Sequence, residues 1–150
     1  MKKTIFLILT FLMAILYCIY SPVPYHTIGG SMVPTVLHND TVIGVSSTKI
    51  ERGDIVVINM IDRLLIKRVV GLPGETIEIF DGITFINNSP IEEHYVVFNM
   101  PKLHFKCILD NNQYFVMGDN RPNSNDSRFI GPISKEQIIK EVKMIIGCFR

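Results

Sequence analysis

Tryptophan is absent from the 150 residues, and cysteine occurs three times. Cys18, Cys107 and Cys148 make no C-x-x-C pair and no metal-ligand spacing, which excludes a zinc ribbon or a thioredoxin-like redox site. The histidines are also few and scattered, at 26, 38, 94 and 104. No G-x-S-x-G frames a serine, so the nucleophile elbow of the α/β-hydrolases is excluded. No charge sign dominates: 15 basic and 14 acidic residues leave a net charge of +1. No basic run is interleaved with aromatics, and nucleic acid is not expected as a partner. No internal repeat or low-complexity tract occurs, which excludes a solenoid or a long disordered arm.

Apolar residues, by contrast, are plentiful. They make up 47% of the chain, and mean hydropathy is +0.28. Part of the excess sits at the start. Lys2 and Lys3 precede a stretch, residues 4–25, with no charged side chain. As a helix, residues 4–22 rise roughly 28 Å, close to the hydrocarbon thickness of a bilayer. Tyr17, Tyr20 and Tyr25 stand at the far end, where an aromatic belt belongs, and Pro22 and Pro24 end the helix. A cleaved signal peptide also begins with basic residues and an apolar run. No A-x-A site follows this run, and Tyr17 does not suit a lipoprotein cut before Cys18. The segment therefore reads as an uncleaved anchor: residues 1–3 in the cytoplasm, 4–22 in the membrane and 26–150 as a domain on the outer face. The sequence leaves open whether Cys107 and Cys148 pair.

The body reads as short strands. Residues 41–46, 54–60 and 64–70 are rich in β-branched side chains and bounded by turn or charged residues. Residues 75–80 alternate at period two, and Asp81-Gly82 turns them into 83–86. The resulting hairpin, 75–91, reads as a small lobe. Residues 95–98 and 114–117 are further strand candidates. Ser134 to Gln137 has capping-box spacing and opens one helical turn. Residues 138–146 read as a last strand. The fold class is mostly β, an antiparallel barrel-like or sandwich domain behind one N-terminal transmembrane helix.

Three stretches carry chemistry. Gly29-Gly30-Ser31-Met32-Val33-Pro34-Thr35 holds one hydroxyl in a turn of small and rigid residues. A serine hydroxyl needs a base to become a nucleophile. His38, the one histidine near this turn, reads as loop surface. The better base is Lys67. On a strand, Lys67 and Arg68 point to opposite faces, so one of the two cations enters an apolar neighbourhood. A desolvated lysine has a lowered pKa and serves as a neutral base. The third stretch, residues 118–128 (GDNRPNSNDSR), packs two acids, two arginines and two serines into eleven residues. Such a loop needs internal ion pairs to hold one shape.

Taken together these motifs resemble the type I signal peptidases, membrane-anchored Ser–Lys proteases. SMVPT at 31–35, RGDIVVI at 52–58, IKRVVGLPGE at 66–75 and GDNRPNSNDSR at 118–128 follow the family's order. The resemblance implies that Ser31 is the nucleophile and Lys67 the general base. It implies that Ser124 orients the lysine amine, and that Asp126 with Arg128, and Asp119 with Arg68, support the site. Met32 would line the substrate cleft, and the backbone of Ser31, with Gly29, would form the oxyanion hole. Some members carry a hydroxyl side chain at the place of Gly29, so a side-chain donor is missing here. The stretch 76–117 is short for the family, and Pro122 stands inside the last motif. The implied substrates are signal-peptide-bearing preproteins with small residues at positions −1 and −3, and membrane lipid is the implied surroundings. No metal or organic cofactor is implied, and the sequence leaves the oligomeric state open. Self-cleaving repressor proteases share the dyad but carry a DNA-binding domain in place of an anchor. Two readings stay beside general signal-peptide removal: a peptidase dedicated to one secretion or conjugation system, and a tethered β-domain that binds exported chains without cutting. Residues 32–36 are also expected to offer an apolar surface to the lipid headgroups.

Overall fold

The computed structural model describes residues 2–98 and 102–147. Helix α1 spans Lys2–Tyr20. The strands that follow are β1 Val23–His26, β2 Thr41–Val45, β3 Ile55–Asn59, β4 Leu64–Gly71, β5 Thr76–Phe80, β6 Ile83–Ile86, β7 Ser89–Pro90, β8 Phe105–Ile108 and β9 Gln113–Met117. Short helix α2 (Ser127–Ile130), β10 (Ile133–Ser134) and β11 (Ile138–Ile146) complete the chain.

All strand pairs are antiparallel, as expected. A seven-stranded curled sheet runs β1-β2-β11-β3-β4-β9-β10, and a four-stranded sheet runs β7-β6-β5-β8. Strand β3 (IVVIN) is buried along its first four residues. It reads as a continuous apolar run because the sheet curls and covers both of its faces. Val56 and Ile58 enter one core with Val69 and Val116, whereas Ile55 joins Met32, Val36 and Val42 in another. Ile77 and Ile79 of the four-stranded sheet pack against Phe115 of β9 in a third core, between the two sheets.

The region 138–146, read as a last strand, is one, but it is central rather than peripheral. Two register shifts, between Ile138 and Lys140 and between Val142 and Met144, let β11 pair first with β3 and then with β2. Strand β1 was hidden by Pro24. It is an edge strand, where a missing N–H costs no ladder bond. Residues 95–98 form turn and coil instead of a strand, and β8 and β10 are strands that the pattern did not mark. Among the described residues no helix is long and apolar enough to cross a membrane.

Candidate active site

Ser31 sits in a closed loop between β1 and β2. Thr27 ties the neck: its hydroxyl donates to Leu37 O at 2.6 Å and Asp40 O at 3.0 Å. Its N–H also donates to Asp40 O, and its carbonyl accepts from Asn39 N–H. Met32 and Val36 fold beneath the loop and are buried. This corrects the expectation that residues 32–36 face lipid: two of their apolar side chains are the plug that seats the loop. Gly29 has φ at +101°, a conformation that favours glycine. Its N–H donates to His38 Nδ1 at 3.0 Å. From the other side Asn120 donates its side-chain N–H to Gly30 O at 2.9 Å and its backbone N–H to Ser31 O at 3.0 Å. The N–H groups of Gly30 and Ser31 have no acceptor among the described residues. Gly29 therefore differs from its expected place as an oxyanion donor, because His38 already holds its N–H.

Lys67 lies in β4 opposite Val56 and is 3% exposed. Its Nζ lies 2.7 Å from Ser31 Oγ and 3.0 Å from Ile66 O. Among the described residues no carboxylate comes within ion-pair reach of it. Burial pushes its pKa down to about 8; the charges of Asp126 and Asp119 push back, and Arg63 adds to the depression. Both cations of the Lys67-Arg68 pair are drawn inward, where one was expected. Arg68 is held as an ion instead, through Nε to Asp119 Oδ1 at 2.8 Å and Nη2 to Asp119 Oδ2 at 2.7 Å. The Thr35 hydroxyl donates to the same carboxylate, so the Ser31 loop and β4 share one buried acid.

The loop 118–128 turns on Asp126, which is fully buried. It accepts from Gly118 N–H at 3.0 Å, Ser124 Oγ at 2.6 Å, Arg128 Nε at 2.7 Å and Arg128 Nη2 at 2.8 Å. The Ser124 proton thus points to Asp126, and among the described residues no hydrogen bond joins Ser124 to Lys67. Its lone pairs remain for accepting. Gly118 packs so closely that an added Cβ would lie 2.3 Å from Ser124 Oγ and 2.4 Å from Ser31 O. No side chain fits there.

Sequence reasoning missed a strap beneath this loop. Arg121, fully buried, donates Nε to Gly118 O at 3.0 Å and both Nη atoms to Glu93, at 3.0 and 2.6 Å. Burial pushes the Glu93 carboxyl up, but Arg121 outweighs it and holds it below the ordinary range. Tyr95 donates to Glu93 Oε1 at 2.8 Å, and its ring carries the Arg68 guanidinium at 4.1 Å. The two acids in residues 92–93 (EE) were a signal, but nothing local said which one turns inward. Cys107 sits half-buried in β8, and Cys148 lies outside the described residues.

Ser31 and Lys67 open onto a cleft of about 470 Å³ lined by Pro24, Tyr25, Ile28, Met32, Leu65 and Ile66, among others. Among the described residues no group of three side chains is placed to bind a metal. The arrangement holds a hydroxyl beside a desolvated amine, at the floor of an apolar groove, with a backbone N–H at the hydroxyl-bearing residue.

The family described as "Signal peptidase, peptidase S26" matches residues 1–147. The chain is 38% identical over 143 residues to signal peptidase I S of Bacillus subtilis (strain 168), covering 84% of this chain and 77% of that protein. It is 34% identical over 159 aligned positions to a signal peptidase I of Bacillus amyloliquefaciens, covering 95% and 85%. The crystal structure of a signal peptidase I from Enterococcus faecalis V583 superposes with a TM-score of 0.59 at 29% identity, covering 65% of this chain and all of that one. The family match spans both the loop of Ser31 and the loop 118–128, and the chain belongs to the type I signal peptidases of the S26 family of serine peptidases.

Proposed function

We propose that this chain removes signal peptides from exported preproteins with Ser31 as nucleophile and Lys67 as general base. The observation that carries this is the 2.7 Å approach of a buried amine, with no carboxylate partner among the described residues, to a serine hydroxyl. In its neutral form Nζ accepts the Ser31 proton as Oγ attacks the scissile carbonyl. The ammonium so formed gives that proton to the leaving amine. A water then replaces the new N-terminus, loses its proton to the same Nζ and hydrolyses the acyl-enzyme. The Ser31 N–H, without an acceptor among the described residues, meets the oxyanion. Ser124 orients Asp126 and the amine's surroundings, while Asp126–Arg128 and Asp119–Arg68 keep the loops in place. Met32 forms part of the cleft floor, where small residues at −1 and −3 of the substrate fit between β1 and β4.

The expected partition of the chain, anchor at 4–22 and catalytic domain at 26–150, is part of this reading. Residues 4–25 hold no charge, and the helical part of that stretch, residues 4–20, rises about 25 Å. Its apolar side chains, from Ile5 at 53% to Phe11 at 68%, stand exposed rather than packed on the sheets. Lys2 and Lys3 favour a cytoplasmic start, with the β-domain on the outer face.

The test is cleavage of a preprotein in detergent micelles by the full chain, beside Ser31→Ala and Lys67→Ala. The parent is expected to cut after a small residue, and each variant to lose roughly four orders of magnitude in kcat. A Lys67→Ala variant that keeps most of its rate would remove the dyad.

A further inference from the structure

Gly30 and Ser31 are joined by a trans peptide. In a trans unit the C=O and the N–H are coplanar and point in opposite directions. Whatever grips Gly30 O therefore sets where the Ser31 N–H points. Gly30 has no Cβ to restrict its own rotation, so the plane needs holding from outside. Two donors reach Gly30 O. Val33 N–H comes from within the same turn, at 3.3 Å. Asn120 Nδ2 comes from the loop 118–128, at 2.9 Å. The backbone N–H of Asn120 also donates to Ser31 O at 3.0 Å, so one residue holds the peptide units on both sides of the Ser31 Cα. Asn120 is itself fixed from both sides. Asp119 is locked to Arg68, and Arg121 to Gly118 O and Glu93.

We propose that Asn120 is a positioning residue of the oxyanion hole, its side-chain N–H holding the Gly30–Ser31 peptide plane so that the Ser31 N–H stays aimed at the reacting carbonyl oxygen. The inference rests on the reading of Ser31 as nucleophile. The link is one peptide unit long, with the gripped carbonyl at one end and the oxyanion donor at the other. Donation to that carbonyl also polarises the unit and strengthens its N–H as a donor. Among the described residues Asn120 makes no hydrogen bond to Ser31 Oγ or to Lys67, so its side chain acts on the hole and not on the base. Because an oxyanion donor acts in the transition state more than in the ground state, loosening it lowers kcat and leaves KM nearly unchanged.

The experiment compares parent, Ser31→Ala, Asn120→Ala and Asn120→Asp as full chains in detergent micelles. Aspartate keeps the size of the side chain and the backbone bond to Ser31 O, but its carboxylate has no N–H to give. The substrates are one preprotein, one peptide ester, and the matching thionoester with C=S at the scissile position. Sulfur accepts hydrogen bonds weakly, so the thionoester draws little on the hole. Both Asn120 variants are expected to lose roughly 10- to 100-fold in kcat on the preprotein and the ester, with KM within about twofold. On the thionoester they should stay within about threefold of the parent. The midpoint of the pH profile, set by Lys67, should not move. A parental kcat in either variant overturns the proposal. So does a loss as large on the thionoester as on the ester, which marks a displaced hydroxyl, or a shifted midpoint, which marks an effect through Lys67. Retained cleavage by Ser31→Ala overturns the nucleophile assignment instead, so the two failures are told apart.

Discussion

Lys67 shows most directly how burial becomes chemistry. Its usual pKa is 10.5, and burial brings it to about 8 in the folded chain. As the proposed base Lys67 acts unprotonated, so kcat/KM is expected to climb with pH and level off above about 8. The same shift is a stability statement. Between pH 8 and 10.5 the unfolded chain holds more protons, so raising the pH through that window stabilises the fold. Below pH 8 lysine is charged in both states, and the cost of burying it is present in full, roughly 3 kcal/mol. Lys67→Met should therefore be inactive yet more stable than the parent at pH 7, with the margin shrinking toward pH 10.5. Urea unfolding at pH 7 and pH 10 measures this, and a margin that does not shrink speaks against the depressed lysine. The sequence showed this residue because two adjacent cations in an apolar strand cannot both be solvated. It did not show His38, because a histidine in a loop gains meaning only from the N–H it faces nine residues away.

At the scale of elements, the loop 118–128 was legible and the strap under it was not. Asp126 and Arg128 are two positions apart and find each other locally. The Glu93–Arg121 pair crosses 28 positions and connects a coil segment to a buried guanidinium, and no period or turn signal marks such a contact. Glu93→Gln removes the charge that balances Arg121 in the interior. It should destabilise the fold by about 3 kcal/mol, measured by chemical denaturation, and Arg121→Met in the same chain should recover much of that loss. If the single change is neutral, the strap is ornamental. Strands β2 to β6 could be read from β-branched runs and the Asp81-Gly82 turn. Strand β1 could not, since its proline suits only an edge, and edge status belongs to the sheet rather than to the segment.

For the whole molecule, the division between an apolar N-terminal helix and a β-body predicts a separable behaviour. A chain lacking residues 2–20 should stay at the bottom of a liposome flotation gradient while the full chain rises. Exposed Ile28 and Ile61 on the body leave room for weak residual binding, so flotation of both forms alike would assign membrane attachment to the β-domain. The curl of the seven-stranded sheet was foreseen only as barrel-like, because the order of its strands depends on pairings between distant segments.

That order has a consequence in time. The Ser31 loop hangs between β1 and β2, and Lys67 sits on β4, which pairs with β3. The two halves are joined in the sheet by β11 alone, seated between β2 and β3. During synthesis the serine and the lysine emerge early, but the strand that stitches their supports together emerges more than sixty residues later. A partly made chain therefore carries Ser31 and Lys67 without the strand that brings their supports together.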